Sequence, residues 1–209
     1  MEKLDKYWDN IHLKYNSTYD GWLNKYVPLF RKDNTFLELG CGRAYCSKYL
    51  LENGFENVIA SDFSNEVIKI VNKEFPNLKT MILDMSTKFP FEDNSINVII
   101  ADLSLHYFDL EKTQYIFDEI YRVINDGGYL IARVNSSNDK LHIPSNSAEI
   151  EKNYFFDGNI YKKFFERDDF NILFKNFKIC NIEEKIMDRY EKVKVLWEFC
   201  IKKKCDKND

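Results

Sequence analysis

Thr35-Phe36-Leu37-Glu38-Leu39-Gly40-Cys41-Gly42-Arg43-Ala44, with Asp62 twenty residues beyond Gly42, is the stretch that decides the fold. A short apolar run enters a glycine-rich turn, a helix-like segment follows, and a second apolar run ends in a carboxylate. That order describes an α/β crevice for a nucleoside. The glycines let backbone approach a ligand closely, and the carboxylate accepts hydrogen bonds from ribose hydroxyls.

Reading outward, Thr35–Gly40 is expected as a buried strand and Ala44–Asn53 as a helix closed by Gly54. Asn57–Asp62 is the second strand. Ser64 is placed to cap a helix that carries Val67, Ile68 and Val71 and stops before Pro76. Lys79–Leu83 forms a third strand ahead of Asp84, and Ile96–Ala101 a fourth. Glu111–Ile124 has helical spacing, and Asp126-Gly127-Gly128 turns the chain into a fifth strand, Tyr129–Val134. Strands alternating with helices at this cadence predict a parallel sheet covered on both faces.

Beyond Asn135 the rhythm changes. Ser136–Gly158 is long and polar, and reads as a loop or flap serving a site. A short helix near Arg167–Phe174 precedes two strands, Phe177–Glu184 and Val193–Ile201, which pair as an antiparallel hairpin at the sheet edge. The first thirty residues read as one or two short helices ending near Pro28. The expected architecture is a three-layer α/β sandwich around a seven-stranded, mostly parallel sheet with a C-terminal antiparallel hairpin. One domain spans 1–209, with a lid over 1–30, a cofactor core over 35–135, a flap over 136–160, and the helix and hairpin over 161–204.

Composition narrows the partners. The 209 residues are 44% hydrophobic and carry a net charge of −4, with both signs interspersed. That provides no basic field for nucleic acid, whose binding is mostly electrostatic. No window approaches ~18 uncharged apolar residues, so no membrane span is expected. The N-terminus is too charged to begin a signal peptide. Five cysteines without C-x-x-C spacing suggest reduced thiols and a cytoplasmic protein. Three dispersed histidines offer no metal site. A monomer or homodimer fits these totals.

The nucleoside can be narrowed further. A dinucleotide loop, G-x-G-x-x-G/A, needs a small third residue where a helix meets a pyrophosphate, and here that position is Tyr45. The alternative spacing E-x-G-x-G-x-G is met by Glu38, Gly40 and Gly42, with Ala44 in place of the last glycine. On this pattern the chain resembles class I S-adenosylmethionine (SAM) methyltransferases. Asp62 matches the family's ribose-binding acid, and Asp84-Met85 its adenine pair. Ile99–Tyr107 is similar to the segment after strand four in the ubiquinone-biosynthesis and tellurite-resistance types. Arg122–Gly128 resembles their turn before strand five, with Asp126 replacing the usual proline.

The resemblance implies SAM as cofactor, no metal, and direct methyl transfer to a small molecule or a protein side chain. Gly40, Cys41 and Gly42 would line the methionine part, with Cys41 a small filler rather than a nucleophile. Glu38 would set the electrostatics around the ammonium. Asp62 would hold the ribose, with Phe63 and Met85 beside the adenine and Asp84 receiving its amine. Asp102 and Leu103 would form the floor under the sulfonium. Tyr7, Trp8, Tyr15, Tyr19 and Trp22 would form an aromatic lid, or else pack as core. On the acceptor side stand Tyr107, Asn135, Asp188 and Arg189, with His106 as candidate general base or pocket wall. Arg133 or Arg189 could bind an anionic acceptor. Two other functions remain open on the sequence: a non-catalytic SAM-binding partner protein, and a nicotinamide-dependent oxidoreductase.

Overall fold

A computed structural model describes residues 7–8, 19–143, 145 and 147–204. Five parallel strands come first: β1 Phe36–Leu39, β2 Val58–Asp62, β3 Lys79–Ile82, β4 Ile96–Asp102 and β5 Ile124–Asn135. Between them run α1 Tyr45–Glu52, α2 Asn65–Glu74 and α3 Leu110–Val123. Strands β9 Phe177–Met187 and β10 Lys194–Lys203 complete a seven-stranded sheet in the order β3-β2-β1-β4-β5-β10-β9. β10 enters antiparallel between β5 and β9, so β9 runs parallel to β5. The ends of β1, β4, β5 and β9 therefore share one rim with the start of β10.

Alternation along β1 divides the interior. Leu37 and Leu39 face a core with Ile116, Phe117, Ile120 and Phe199, whereas Phe36 faces one with Leu50, Val67 and Val71. These two apolar layers give the sandwich its three tiers. Helix ends follow the sequence signals. Ser64 Oγ accepts from Val67 N at 3.1 Å. At the end of α1, Gly54 has φ +75° and bonds from Gly54 N to Leu51 O and Phe55 N to Leu50 O close the last turn.

Three expectations need correction. The stretch read as a polar loop over 136–158 contains β6 Ala148–Glu151 and β7 Tyr154–Phe156, which join β8 Tyr161–Lys163 in a separate antiparallel sheet. The Tyr161 ring meets those of Tyr154 and Phe156 across this sheet, a pairing of short segments that periodicity does not reveal. β5 begins at Ile124, because the Asp126-Gly127-Gly128 turn is absorbed into the strand as an irregularity. A Cβ on Gly128 would lie 2.6 Å from Asn97 O. β9 runs three residues past Glu184, carried by its pairing with β10 through Met187. Of the N-terminal segment, Tyr7 and Trp8 are helical, and a 3-10 turn spans Val27–Leu29. Tyr15 lies outside the described residues.

Candidate active site

The loop after β1 is shaped by its neighbours. Gly40 has φ +64°, and a Cβ there would sit 2.5 Å from Ser104 Cβ, so glycine is required twice over. Ser104 Oγ donates to Leu39 O at 2.6 Å, and Met85 Cε lies 3.5 Å from the same imagined Cβ. The ends of β1, β3 and β4 thus meet at Gly40. Gly42, at φ +50°, donates its N–H to Asp62 Oδ2 at 2.9 Å, and Ser64 N donates to Asp62 Oδ1 at 2.9 Å. The sequence-expected loop and ribose acid are therefore in direct contact. Asp84 accepts from Ser86 N at 2.9 Å beside the buried Met85, and Phe63, next after Asp62, is half-buried.

Glu38 is buried at 3% exposure and accepts from both the backbone N–H and the hydroxyl of Ser47 on α1. Burial pushes its carboxyl up to about 7, against the Ser47 hydrogen bonds and with help from Asp102. Cys41 is buried, and burial together with Asp62 and Glu38 raises its thiol well above the ordinary value. A thiol so raised is not a ready nucleophile.

Asp102 ends β4 in an ion-pair cluster. Arg133 Nε and Nη2 reach its two oxygens at 2.8 and 2.9 Å, and Arg189 Nη1 reaches Oδ2 at 2.7 Å. Arg133 Nη1 also donates to Asp20 Oδ2 at 2.7 Å, and its guanidinium lies 4.5 Å from the Trp22 ring. Burial would raise the Asp102 carboxyl, but Arg133 and Arg189 outweigh it and hold it at about 2. The acid expected simply as a floor is thus a buried anchor joining β4, β5, the hairpin loop and the N-terminal segment. Arg133 is committed to this cluster rather than left open for an acceptor. Leu103, next in the chain, has φ +58° and donates its N–H to Arg133 O. A non-glycine residue in that region is strained, and such strain is held by its surroundings at functional rims.

The aromatic residues divide between two tasks. Trp22 is in the core, and Tyr19 stacks on Tyr49 of α1 at 4.5 Å while accepting from Leu23 N. Trp22 is thus core, and Tyr19 is half-buried against α1. Trp8 meets Tyr107 edge-on at 4.7 Å, and Tyr107 lies 4.4 Å from the His106 ring. His106 is 3% exposed, and burial with Lys194 and Lys162 keeps its pKa well below 6.5, so the ring is neutral. Asn135 is buried at the end of β5, while Asp188 is exposed in the hairpin loop. Lys194 and Asp139, which sequence reading passed over, also belong to this rim. Lys194 Nζ donates to Asn135 Oδ1 at 2.7 Å, a contact that depends on the β5–β10 register and leaves no local signal.

Comparisons with known proteins agree with this layout. Residues 37–132 match the sequence profile of the methyltransferase domain family. This stretch is thus similar to methyltransferase domains, and the fold around it is that of solved SAM-dependent methyltransferases. A SAM-dependent methyltransferase from Methanosarcina mazei superposes with a TM-score of 0.76 at 18% identity, covering 91% of this chain and all of that one. An uncharacterized methyltransferase of Schizosaccharomyces pombe is 28% identical over 109 residues, 52% of this chain and 41% of its own length. The tRNA N(3)-methylcytidine methyltransferase Mettl2 of Drosophila melanogaster is 27% identical over 136 residues, 60% of this chain and 42% of its own. The chain thus spans about two fifths of these curated relatives. Among the described residues, no three His, Cys, Asp or Glu side chains gather as a metal site, and no helix is long and apolar enough to cross a membrane.

Proposed function

We propose that the chain binds SAM along the rim formed by β1, β2 and β4, and transfers its methyl group by in-line displacement to a small molecule or a protein side chain. The observation that carries this reading is the contact of the Gly42 N–H with the Asp62 carboxylate, beside a Gly40 that admits no side chain. A loop so close to a strand-end acid suits a ribose and a methionine chain. Gly40, Cys41 and Gly42 would lie along the methionine part, Glu38 near its ammonium, and Asp62 at the ribose hydroxyls. Phe63, Asp84 and Met85 would take the adenine. Positioning the sulfonium against the acceptor accounts for most of the catalysis such a displacement needs, on the order of 7–11 kcal/mol at the theoretical limit.

The whole chain is read as one domain. The net charge of −4 supports a small-molecule or protein acceptor rather than the tRNA in the name of one relative. Free thiols at Cys41, Cys46, Cys180 and Cys200 suit a reducing compartment, so the cytoplasm is the proposed location. Calorimetric titration with SAM, S-adenosylhomocysteine and NADH tests the cofactor. Saturable binding of both adenosyl ligands but not NADH is expected, and binding of NADH alone would refute the reading. A human relative, 27% identical over 97 residues, is named an arginine-hydroxylase. Turnover is therefore best followed by formation of S-adenosylhomocysteine, which reports methyl transfer itself.

A further inference from the structure

Where β5 ends and β10 begins, nitrogen groups gather that the cofactor half of the site does not use. Lys194 starts β10 beside the end of β5, donates to Asn135 Oδ1 at 2.7 Å, and lies 3.7 Å from Asp139 Oδ2. An ammonium has three hydrogens to place, and this one has a single hydrogen bond. His106 comes from the segment after β4. Its carbonyl accepts from Lys163 N at 2.7 Å, which hooks the small β6–β8 sheet onto the rim and brings Lys162 with it. Arg189 enters from the hairpin loop. Three buried side-chain atoms here have no hydrogen-bond partner: His106 Nδ1, Asp139 Oδ2 and Arg189 Nε.

The positive groups feel one another. Burial, Lys162 and Arg189 bring the Lys194 ammonium down to about 8 in spite of Asp139. Burial, Lys194 and Lys162 keep His106 neutral, with only Asp102 opposing. The acids that face the cluster are already engaged. Asp102 is clamped by two arginines, Asp139 Oδ1 pairs with His142 Nδ1 at 2.8 Å, and Asp157 lies 3.3 Å from Lys162. Burial raises the phenols of Tyr107 and Tyr190, so both are neutral. Of the unpartnered atoms Arg189 Nε is a donor and His106 Nδ1 becomes one in the matching tautomer, whereas Asp139 Oδ2 is an acceptor that stays with Lys194. Buried donors held among repelling cations are stabilised when an anion enters.

We propose that Lys194, Lys162 and His106 bind an oxyanionic group of the methyl acceptor, a carboxylate or a phosphate, and that Asn135 positions the Lys194 ammonium. The identity of the occupant as methyl acceptor rests on the methyl-transfer reading above. The anion site itself rests on the cluster.

The test titrates benzoate, phenyl phosphate and benzamide into the wild-type protein, with and without S-adenosylhomocysteine. At least one anion is expected to bind about tenfold tighter than benzamide, since a charge-assisted hydrogen bond is worth that much. The tighter of the two identifies the class. Lys194→Met is expected to weaken that anion about tenfold while moving S-adenosylhomocysteine affinity by less than about twofold. Anion binding is also expected to raise the His106 pKa, read from its imidazole NMR signals. If Lys194→Met fails to fold, Lys162→Gln carries the same expectation at about threefold, being the more exposed cation. Equal affinity for anions and benzamide, or an unchanged affinity in the lysine variants, overturns the anion site. Cofactor binding without anion binding overturns it too, and leaves the methyl-transfer reading standing. Anion binding without any affinity for the adenosyl ligands overturns the methyl-transfer reading and leaves the anion site in place.

Discussion

Replacing Glu38 with Gln should stabilise the ligand-free protein at neutral and alkaline pH while damaging its cofactor site. Glu38 is fully enclosed, and its carboxyl is pushed from an ordinary 4.5 up to about 7 because burial disfavours the charge. A raised carboxyl favours the fold only while protonated. Its contribution is complete below about pH 4.5 and is lost as pH rises through about 7. Over that window the wild type should lose on the order of 3 kcal/mol relative to a neutral isostere. Gln keeps an oxygen that can accept from the N–H and hydroxyl of Ser47, so the hydrogen bonds need not be sacrificed.

For a chain of this size the stability difference corresponds to a melting temperature roughly 6–12 °C higher for Glu38→Gln at pH 8, narrowing to near zero close to pH 4.5. Urea unfolding of both proteins at four pH values between these limits measures it. A gap that does not vary with pH, or a variant less stable than the wild type at pH 8, would refute the reasoning. Cofactor titration of the same variant should move the opposite way, because the proposed ammonium partner is gone. A residue that costs stability in order to bind is a common mark of a functional site.

The other expectations concern single contacts. Asp62→Ala and Asp84→Ala should each weaken S-adenosylhomocysteine binding about tenfold or more by calorimetry while the circular dichroism stays native; wild-type affinity in both would sink the proposed pocket. Gly40→Ala forces a Cβ to within 2.5 Å of Ser104 Cβ at a left-handed φ, so it should cost about 1–3 kcal/mol in urea unfolding and abolish cofactor binding. Arg133→Met leaves Asp102 without its two-pronged partner in the interior, and a loss of about 3–5 kcal/mol at pH 7 is expected, shrinking as pH falls through about 2 and Asp102 is protonated. His106→Ala should leave cofactor affinity intact and alter turnover once an acceptor is in hand; unchanged turnover would reduce the ring to pocket wall.

The cofactor half was legible because its information is local. Ser64 caps its helix as the spacing indicates, and the glycine turn stands beside the strand-end acid, Gly42 N–H on Asp62, because β1 and β2 pair. The acceptor half was legible only in outline. Arg189 reaches Asp102 across 87 positions of chain, and Lys194 reaches Asn135 across 59. Such pairs are set by strand register, which no spacing rule encodes. The β6–β8 sheet was missed for a related reason: strands of three or four residues are too short for alternation to rise above chance.

That division has a physical basis in the fold. The turn after β1 and the acid that ends β2 are neighbours by construction, since β1 and β2 pair directly. Any sequence of this topology that holds an adenosyl ligand meets the same local constraints. The acceptor rim is assembled from the end of β5, the hairpin loop and the inserted sheet, which are free to vary without disturbing the β1–β4 core. Asp102 sits where the two halves join, with Arg133 from β5 and Arg189 from the hairpin on one carboxylate and Asp20 beyond Arg133. The salt-bridge cluster therefore ties the variable elements to β4, the strand proposed to carry the cofactor floor. A shift of the hairpin on acceptor binding would be felt at Asp102 before it is felt at Gly40, and cofactor affinity should respond to Arg189 more than to any other residue of that loop.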